Sequence, residues 1–125
     1  MTRAKILVVE DEPHIAESLN FILRRANFEV DVVTDGTEAL NRLRRQPYGA
    51  MILDIMLPGV NGLEVLKAVR SDKQLNGLPV IVLTAKGQVN DRKTAEAIGA
   101  SAFITKPYSN ADVVDRLCEL VRHRG

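Results

Sequence analysis

Five short strand-like segments alternate with segments of helical periodicity, and this alternation constrains the fold more than any other feature. The strand-like segments lie at residues 5–9, 28–33, 50–54, 79–84 and 101–105. The helix-like segments lie at 13–26, 35–46, from Asn61 onward, 89–98 and from Ser109 to about Arg122. Strict alternation of strand and helix predicts a parallel sheet with helices on both faces. Right-handed crossovers then give a doubly wound, five-stranded α/β fold of the flavodoxin-like type.

Local signals mark where several of these helices begin and end. Asn61 with Glu64 three residues later predicts an N-cap, and so does Ser109 with Asp112. Gly99 predicts the C-terminal stop of the fourth helix. The apolar stripes predicted for the first, third and fourth helices are Ile15, Leu19, Ile22, Leu23 and Ala26; Leu63, Leu66 and Val69; and Val89, Ala95 and Ile98.

Composition narrows the class of protein. The chain has 125 residues, which predicts one domain over residues 1–125. A net charge of +1 gives no general attraction to nucleic acid or membrane, and 4% aromatic residues are too few for a base-stacking surface. The single cysteine, Cys118, excludes an internal disulfide and is expected to be a small buried apolar residue. No signal peptide or membrane-spanning run is present, so the expected location is the cytoplasm.

Acidic and polar residues follow four of the predicted strands. Glu10 and Asp11 follow the first strand, Asp54 ends the third, Thr84 ends the fourth, and Lys106 follows the fifth. Each residue alone is more often a solvated loop or surface residue. Because parallel strands all end at the same edge of the sheet, the joint placement predicts that these side chains converge at one site.

The chemistry of this predicted site suggests phosphoryl transfer. Clustered carboxylates repel one another unless a cation neutralises them, and hard oxygen ligands on loops suit Mg²⁺. Lys106 and Thr84 would supply donors for a tetrahedral anion. These features indicate a carboxylate that carries a phosphoryl group.

The chain resembles the receiver domain of bacterial response regulators in two-component signalling, in particular the single-domain chemotaxis regulators. The resemblance covers nearly the whole chain and rests on four motifs in order: "VVEDE" at 8–12, "LDIMLPGVNGLEVL" at 53–66, "VIVLTA" at 80–85 and "FITKPY" at 103–108. It implies a phosphoacceptor domain in a phosphorelay, whose chemistry is limited to its own phosphorylation and autodephosphorylation, so that it is not an enzyme in the ordinary sense.

The resemblance also implies roles for individual residues. Asp54 matches the phosphoacceptor, and Asp11 matches a direct ligand of Mg²⁺, for which Mn²⁺ is a substitute. Glu10 matches an acid that assists the metal through water, and Met56 stands where a backbone carbonyl completes the metal shell.

Further matches concern the switch. Thr84 matches a hydroxyl that binds the phosphoryl group, and Lys106 matches a lysine that pairs with the acceptor. The peptide bond before Pro107 is typically cis in this family. Phe103 matches the aromatic switch residue and lacks the hydroxyl of the alternative Tyr, so packing alone would drive its rotation.

The implied partners are a sensor histidine kinase or phosphotransfer protein, with no nucleic acid or membrane bound by this domain. A homodimer or an output partner would use the face of the fourth helix, fifth strand and fifth helix. No acidic pair precedes Phe103, which disfavours a regulator with a winged-helix output. His14 and His123 are expected to be exposed helix residues and not phosphoryl donors.

Two questions stay open at the level of sequence. Met56 stands two residues after the acceptor Asp54, and Lys86 stands two residues after Thr84. The resemblance implies that these positions control the water that attacks the phosphoryl group, but the sequence does not say whether they speed or slow dephosphorylation. The alternative functions are a phosphorylation-independent interaction module and an Asp-nucleophile phosphatase. The phosphatase reading is weakened because such enzymes usually carry an acid where Met56 stands.

Overall fold

The computed structural model describes residues 4–58, 60–85 and 89–124, with side chains to residue 121, and confirms the alternation of strands and helices. The strands are β1 (Lys5–Val9), β2 (Glu29–Val33), β3 (Ala50–Asp54), β4 (Val80–Ala85) and β5 (Ala102–Lys106). The helices are α1 (Pro13–Arg25), α2 (Gly36–Arg45), α3 (Gly62–Ser71), α4 (Val89–Ile98) and α5 (Asn110–Arg124). These bounds differ from the predicted bounds by at most two residues.

The strands form one parallel sheet in the order β2-β1-β3-β4-β5. The chain moves outward from β1 to β2, then crosses back to the other side of β1 and continues to β5. The strand order therefore reverses between β1 and β3, and the carboxyl ends of these two strands flank a crevice where ligands bind in folds of this type.

Side chains alternate across the sheet and build two separate apolar clusters. One face contributes Leu7, Val9, Met51, Leu53, Val80 and Val82 to a cluster completed by α2, α3 and α4. The other face contributes Ile6, Val8, Ala50, Ile52, Ile81 and Leu83 to a cluster completed by α1 and α5. The three central strands are buried on both faces, which explains why their sequences are continuous apolar runs.

The predicted apolar stripe of α4 is partly wrong. Ala95 is fully buried, but Val89 is 59% exposed. Val89 is the first residue of α4, and because helical side chains lean toward the helix N-terminus, its side chain points away from the turn that carries Ala95. Cys118 is only partly buried, whereas Ala16 in α1 and Val65 in α3 are buried although they lay outside the predicted stripes of these helices.

The predicted helix ends are confirmed. Asn61 Oδ1 accepts a hydrogen bond from the Glu64 N–H at 3.0 Å, and Ser109 Oγ accepts one from the Asp112 N–H at 3.1 Å. Gly99 has φ +119°, in the left-handed region that favours glycine, directly after α4.

A partly buried arginine ties α3 to two loops. The Arg70 guanidinium donates from Nε to the Gly99 carbonyl at 2.8 Å, and from Nη1 to the carbonyls of Asn76 at 3.0 Å and Leu78 at 2.7 Å. The loop before β4 and the C-terminal end of α4 therefore share one cation. We call this arrangement the Arg70 clamp.

Candidate functional site

Three carboxylates meet at the crevice between β1 and β3. Glu10 and Asp11 follow β1, Asp54 ends β3, and one carboxylate oxygen of each lies within 4.8 Å of the others. Glu10 and Asp54 are buried, whereas Asp11 is exposed. The strand-end argument therefore predicted this cluster correctly, and the apolar run of β3 is what holds the Asp54 carboxylate in place.

Lys106 at the end of β5 reaches both buried acids. Its Nζ lies 2.9 Å from Asp54 Oδ2 and 3.2 Å from Glu10 Oε1. The peptide bond between Lys106 and Pro107 is cis, as the resemblance implied. One ammonium group thus balances two buried carboxylates, and this leaves the site with excess negative charge.

The electrostatic cost of this excess appears at Glu10. Burial, followed by its hydrogen bond with Asp54 and the charge of Asp54, raises the pKa of Glu10 from 4.5 to about 7. For Lys106, burial lowers the pKa, but the hydrogen bond and charge of Asp54 and the charge of Glu10 outweigh it, so the pKa is raised overall. The site therefore holds its lysine charged and resists ionisation of Glu10.

A pH dependence of stability follows from the raised pKa of Glu10. Between pH 4.5 and about 7 the folded state binds more protons at Glu10 than the unfolded state, so the free energy of unfolding falls as pH rises through this window. The slope contributed by this group is at most about 1.4 kcal/mol per pH unit. Denaturant titrations at a series of pH values should show this decrease, and Glu10→Gln should flatten it. An unchanged slope in the variant would contradict the assignment.

The segment after Asp54 folds back over the acceptor. The Met56 N–H donates to Asp54 Oδ1 at 3.0 Å, and the Gly62 N–H donates to the Ile55 carbonyl at 2.9 Å. A Cβ on Gly62 would collide with the Asp54 carbonyl, so only glycine permits this close approach. The Met56 side chain itself is 62% exposed. Lys86, the other residue assigned to dephosphorylation, lies outside the described residues.

The proposed switch residues have partners that sequence reasoning missed. Thr84 is buried, and its hydroxyl lies 3.5 Å from that of Thr105, which pairs with it across β4 and β5. Phe103 is partly buried, and the Arg92 guanidinium lies 5.1 Å from the centre of its ring. Counting the register of two parallel strands would have found Thr105. Arg92 gave no such signal, because its contact depends on how α4 packs.

The donor set suits Mg²⁺. Three carboxylates within mutual reach offer hard oxygen ligands, and the exposed Asp11 leaves one side open to water and phosphate oxygens, which Mg²⁺ retains in its shell. A divalent cation would also relieve the repulsion that raises the pKa of Glu10.

Fold and site together define an α/β domain with a carboxylate-rich cation site at its switch point. Comparison with known families gives the specific assignment. The profile of the response regulator receiver domain matches residues 6–118, and the chain belongs to this family. This membership confirms the resemblance seen in the motifs and displaces the phosphatase alternative.

The curated proteins that are similar to this chain are response regulators. The chain is 42% identical over 96% of its length to a probable transcriptional regulatory protein of Mycobacterium tuberculosis, TcrX, of which the match covers 50%. It is 37% identical over 92% of its length to the DNA-binding response regulator MtrA of Mycolicibacterium smegmatis, of which the match covers 49%. The chain thus spans about half the length of these curated relatives. The names of these relatives describe regulators of transcription or DNA-binding regulators.

Solved structures agree with this fold. The receiver domain of a sensor histidine kinase from Pseudomonas aeruginosa, which has Mg²⁺ coordinated in its active-site cleft, matches with a TM-score of 0.89 at 28% identity, over 97% of this chain and 99% of that one. The chemotaxis response regulator CheY4 of Vibrio cholerae matches with a TM-score of 0.89 at 29% identity, over 95% of this chain and 99% of that one. Among the described residues, no helix has the length and apolarity needed to cross a membrane.

Proposed function

We propose that this receiver domain accepts a phosphoryl group on Asp54 from a phosphohistidine of a sensor histidine kinase or phosphotransfer protein. The observation that carries the proposal is the contact of the buried Asp54 carboxylate with Lys106 at 2.9 Å, beside two further acids. The proposed site of action is the cytoplasm, where such regulators ordinarily work. The protein would act as a signalling component and not as an enzyme with turnover on a separate substrate.

In the proposed reaction an Asp54 carboxylate oxygen attacks phosphorus, the phosphorus–nitrogen bond of the donor breaks, and the imidazole leaves. Mg²⁺ held by Asp11, Asp54 and the Met56 carbonyl, with Glu10 assisting through water, would supply charge neutralisation, and Mn²⁺ would substitute for it. The Lys106 ammonium group, which now contacts Asp54, would form an ion pair with the phosphoryl oxygens. The Met56 N–H orients the acceptor carboxylate. Most of the protein's contribution is positioning and electrostatic stabilisation.

The proposed output is a change in the face formed by α4, β5 and α5. On phosphorylation the Thr84 hydroxyl would leave Thr105 for a phosphoryl oxygen, and Phe103 would move inward from under Arg92. A cation–π contact at an exposed site contributes only about 0.5–1 kcal/mol, so its loss adds little to the free-energy cost of the conformational change. The changed face would control an output domain, a partner or a second copy of the chain.

Phosphodonor labelling tests this function. Incubation with acetyl phosphate and Mg²⁺ should add one phosphoryl group, and peptide mapping should place it on the tryptic peptide spanning residues 46–67, which contains Asp54. A chelator should abolish the labelling because the excess acidic charge would then repel the donor. Metal-independent labelling, or labelling on another peptide, would refute the proposed site.

A second experiment addresses the lifetime of the phosphoryl group. Met56 carries a bulky apolar side chain on a residue whose backbone N–H bonds the acceptor carboxylate, so Met56→Asn should admit and orient water and shorten the lifetime several-fold. The measurement is the decay of phosphoprotein after donor removal, with Met56→Leu as the matched apolar control and Lys86→Ala for the second assigned position. If Met56→Asn, Met56→Leu, Lys86→Ala and the parent all lose the phosphoryl group at the same rate, Met56 and Lys86 do not control dephosphorylation.

A further inference from the structure

The chain contains two Asn-Gly pairs in nearly the same local sequence. Residues 60–63 read "VNGL" and residues 75–78 read "LNGL". Asn-Gly is the pair most prone to spontaneous deamidation, because an unhindered glycine nitrogen can attack the asparagine side chain. Similar neighbours give the two pairs similar intrinsic reactivity, so any difference between them in the native protein must come from the fold.

The first pair is locked by the fold. The Gly62 N–H, whose nitrogen would be the nucleophile, donates to the Ile55 carbonyl at 2.9 Å. The Asn61 side chain, which would be attacked, is fixed as the N-cap of α3 by its 3.0 Å bond from Glu64. Gly62 is also buried against the Asp54 carbonyl, which leaves no room for ring closure.

The second pair is open. Asn76 and Gly77 are both exposed, and a Cβ built on Gly77 would meet nothing within 4 Å. Within residues 4–58, 60–85 and 89–124, no hydrogen bond is seen from the Gly77 N–H or from the Asn76 side chain. The Gly77 N–H and the Asn76 side chain therefore have no hydrogen bond to break before they meet, while the Asn76 N–H donates to the Asp72 carbonyl at 2.8 Å.

The Arg70 clamp favours the reaction at this second pair. Arg70 Nη1 donates to the Asn76 carbonyl at 3.0 Å, and this carbonyl belongs to the same peptide group as the Gly77 nitrogen. A cation on the carbonyl oxygen stabilises the anion that forms when the N–H loses its proton. The arginine thus raises the fraction of the Gly77 nitrogen that is deprotonated, which is the form that attacks.

We propose that Asn76 is a site of spontaneous deamidation in the native protein and that the fold protects Asn61. The Gly77 nitrogen loses its proton to solvent base and attacks Asn76 Cγ, a carbon–nitrogen bond forms, and ammonia leaves to give a succinimide. Water then opens the succinimide at either carbonyl and gives aspartate or isoaspartate at position 76. No redox partner or cofactor is required, and the proposal does not depend on phosphorylation of Asp54.

The product would alter the Arg70 clamp. Nη1 holds the carbonyls of Asn76 and Leu78, and an isoaspartyl linkage takes the α-carbonyl of residue 76 out of the main chain and lengthens the main chain there by one carbon. The same guanidinium holds the Gly99 carbonyl after α4. Deamidation would therefore loosen the C-terminal end of α4 through the Arg70 side chain.

Timed incubation of the native full chain at mildly alkaline pH tests the proposal. Trypsin separates the two pairs, with Asn61 on residues 46–67 and Asn76 on residues 74–86, and fragmentation spectra localise the mass gain that accompanies loss of the amide. We expect Asn76 to deamidate about 30-fold faster than Asn61, which corresponds to a barrier difference of about 2 kcal/mol. In urea the two rates should become similar, within about threefold.

Two variants complete the test. Gly77→Ala, for which the structure has room, should suppress deamidation at position 76 and leave Asn61 unchanged. An enzymatic isoaspartate assay on the aged parent protein, with Asn76→Asp as the reference for the aspartate product, should show which product forms. Amide exchange at residues 99–101 should rise in the aged protein. Equal rates at Asn61 and Asn76 in the native chain, or a rate at Asn76 that Gly77→Ala does not change, would overturn the proposal.

Discussion

The Asp54→Asn protein is expected to gain no phosphoryl group from acetyl phosphate and Mg²⁺. Asparagine keeps the shape of the buried side chain but replaces the nucleophilic oxygen with a neutral amide. Glu10 is likewise buried after a strand, contacts Lys106, and accepts a hydrogen bond from the Glu12 N–H at 3.3 Å. Glu10 shares the lysine, but its raised pKa leaves it less ionised near neutral pH. The expected loss is therefore complete, as measured by intact mass.

The same variant carries a second readout that shows whether it has folded correctly. Removing the Asp54 charge removes part of what raises the pKa of Glu10, although burial remains, so this pKa should move down from about 7. Asp115→Asn on the exposed surface of α5 is the matched control and should label as the parent does. Labelling of a folded Asp54→Asn protein at the parent's level would disprove the acceptor assignment.

Lys106→Met is expected to lower both stability and phosphorylation. It removes the cation that lies 2.9 Å from Asp54 and 3.2 Å from Glu10, and leaves two buried carboxylates facing each other. Breaking a fully buried pair in this way costs about 3–5 kcal/mol. Because the Lys106 side chain keeps 25% of its surface exposed, solvent screening reduces the expected loss to about 2 kcal/mol at neutral pH.

The pH dependence distinguishes this electrostatic loss from a simple packing defect. As pH falls, Glu10 takes up a proton and no longer needs the lysine, so the difference in unfolding free energy between parent and variant should shrink. Added Mg²⁺ should shrink it as well, because the cation replaces the missing charge. Lys67→Met on the exposed face of α3 serves as the control. A loss that is the same at all pH values would point to packing instead.

Much of the fold could be predicted because the chain's local signals agree with one another. Three strands that are buried on both faces must be apolar throughout, and β1, β3 and β4 read that way in the sequence. The convergence of Glu10, Asp11, Asp54 and Lys106 followed from a geometric rule about parallel strands and not from any single residue.

The details that could not be predicted depend on contacts between distant elements. Val89 looked like part of an apolar stripe, but it is exposed because it is the first residue of α4. Arg70 looked like an ordinary residue at the end of an exposed helix face, yet it binds carbonyls 6, 8 and 29 positions away in the chain. The periodicity of apolar residues reports only which residues share a face of one helix. It therefore predicts neither the exposure of Val89 nor the contacts of Arg70.

The two apolar clusters on opposite faces of the sheet separate the molecule into independently adjustable halves. Phe103 packs against the cluster shared with α2, α3 and α4, whereas Tyr108 packs against the cluster shared with α1 and α5. Substitutions on distant, unconnected sites usually have additive effects. A lineage could therefore remodel α1 to recognise a new partner while α4 keeps its response, and duplicated copies of such a gene could diverge without losing their chemistry.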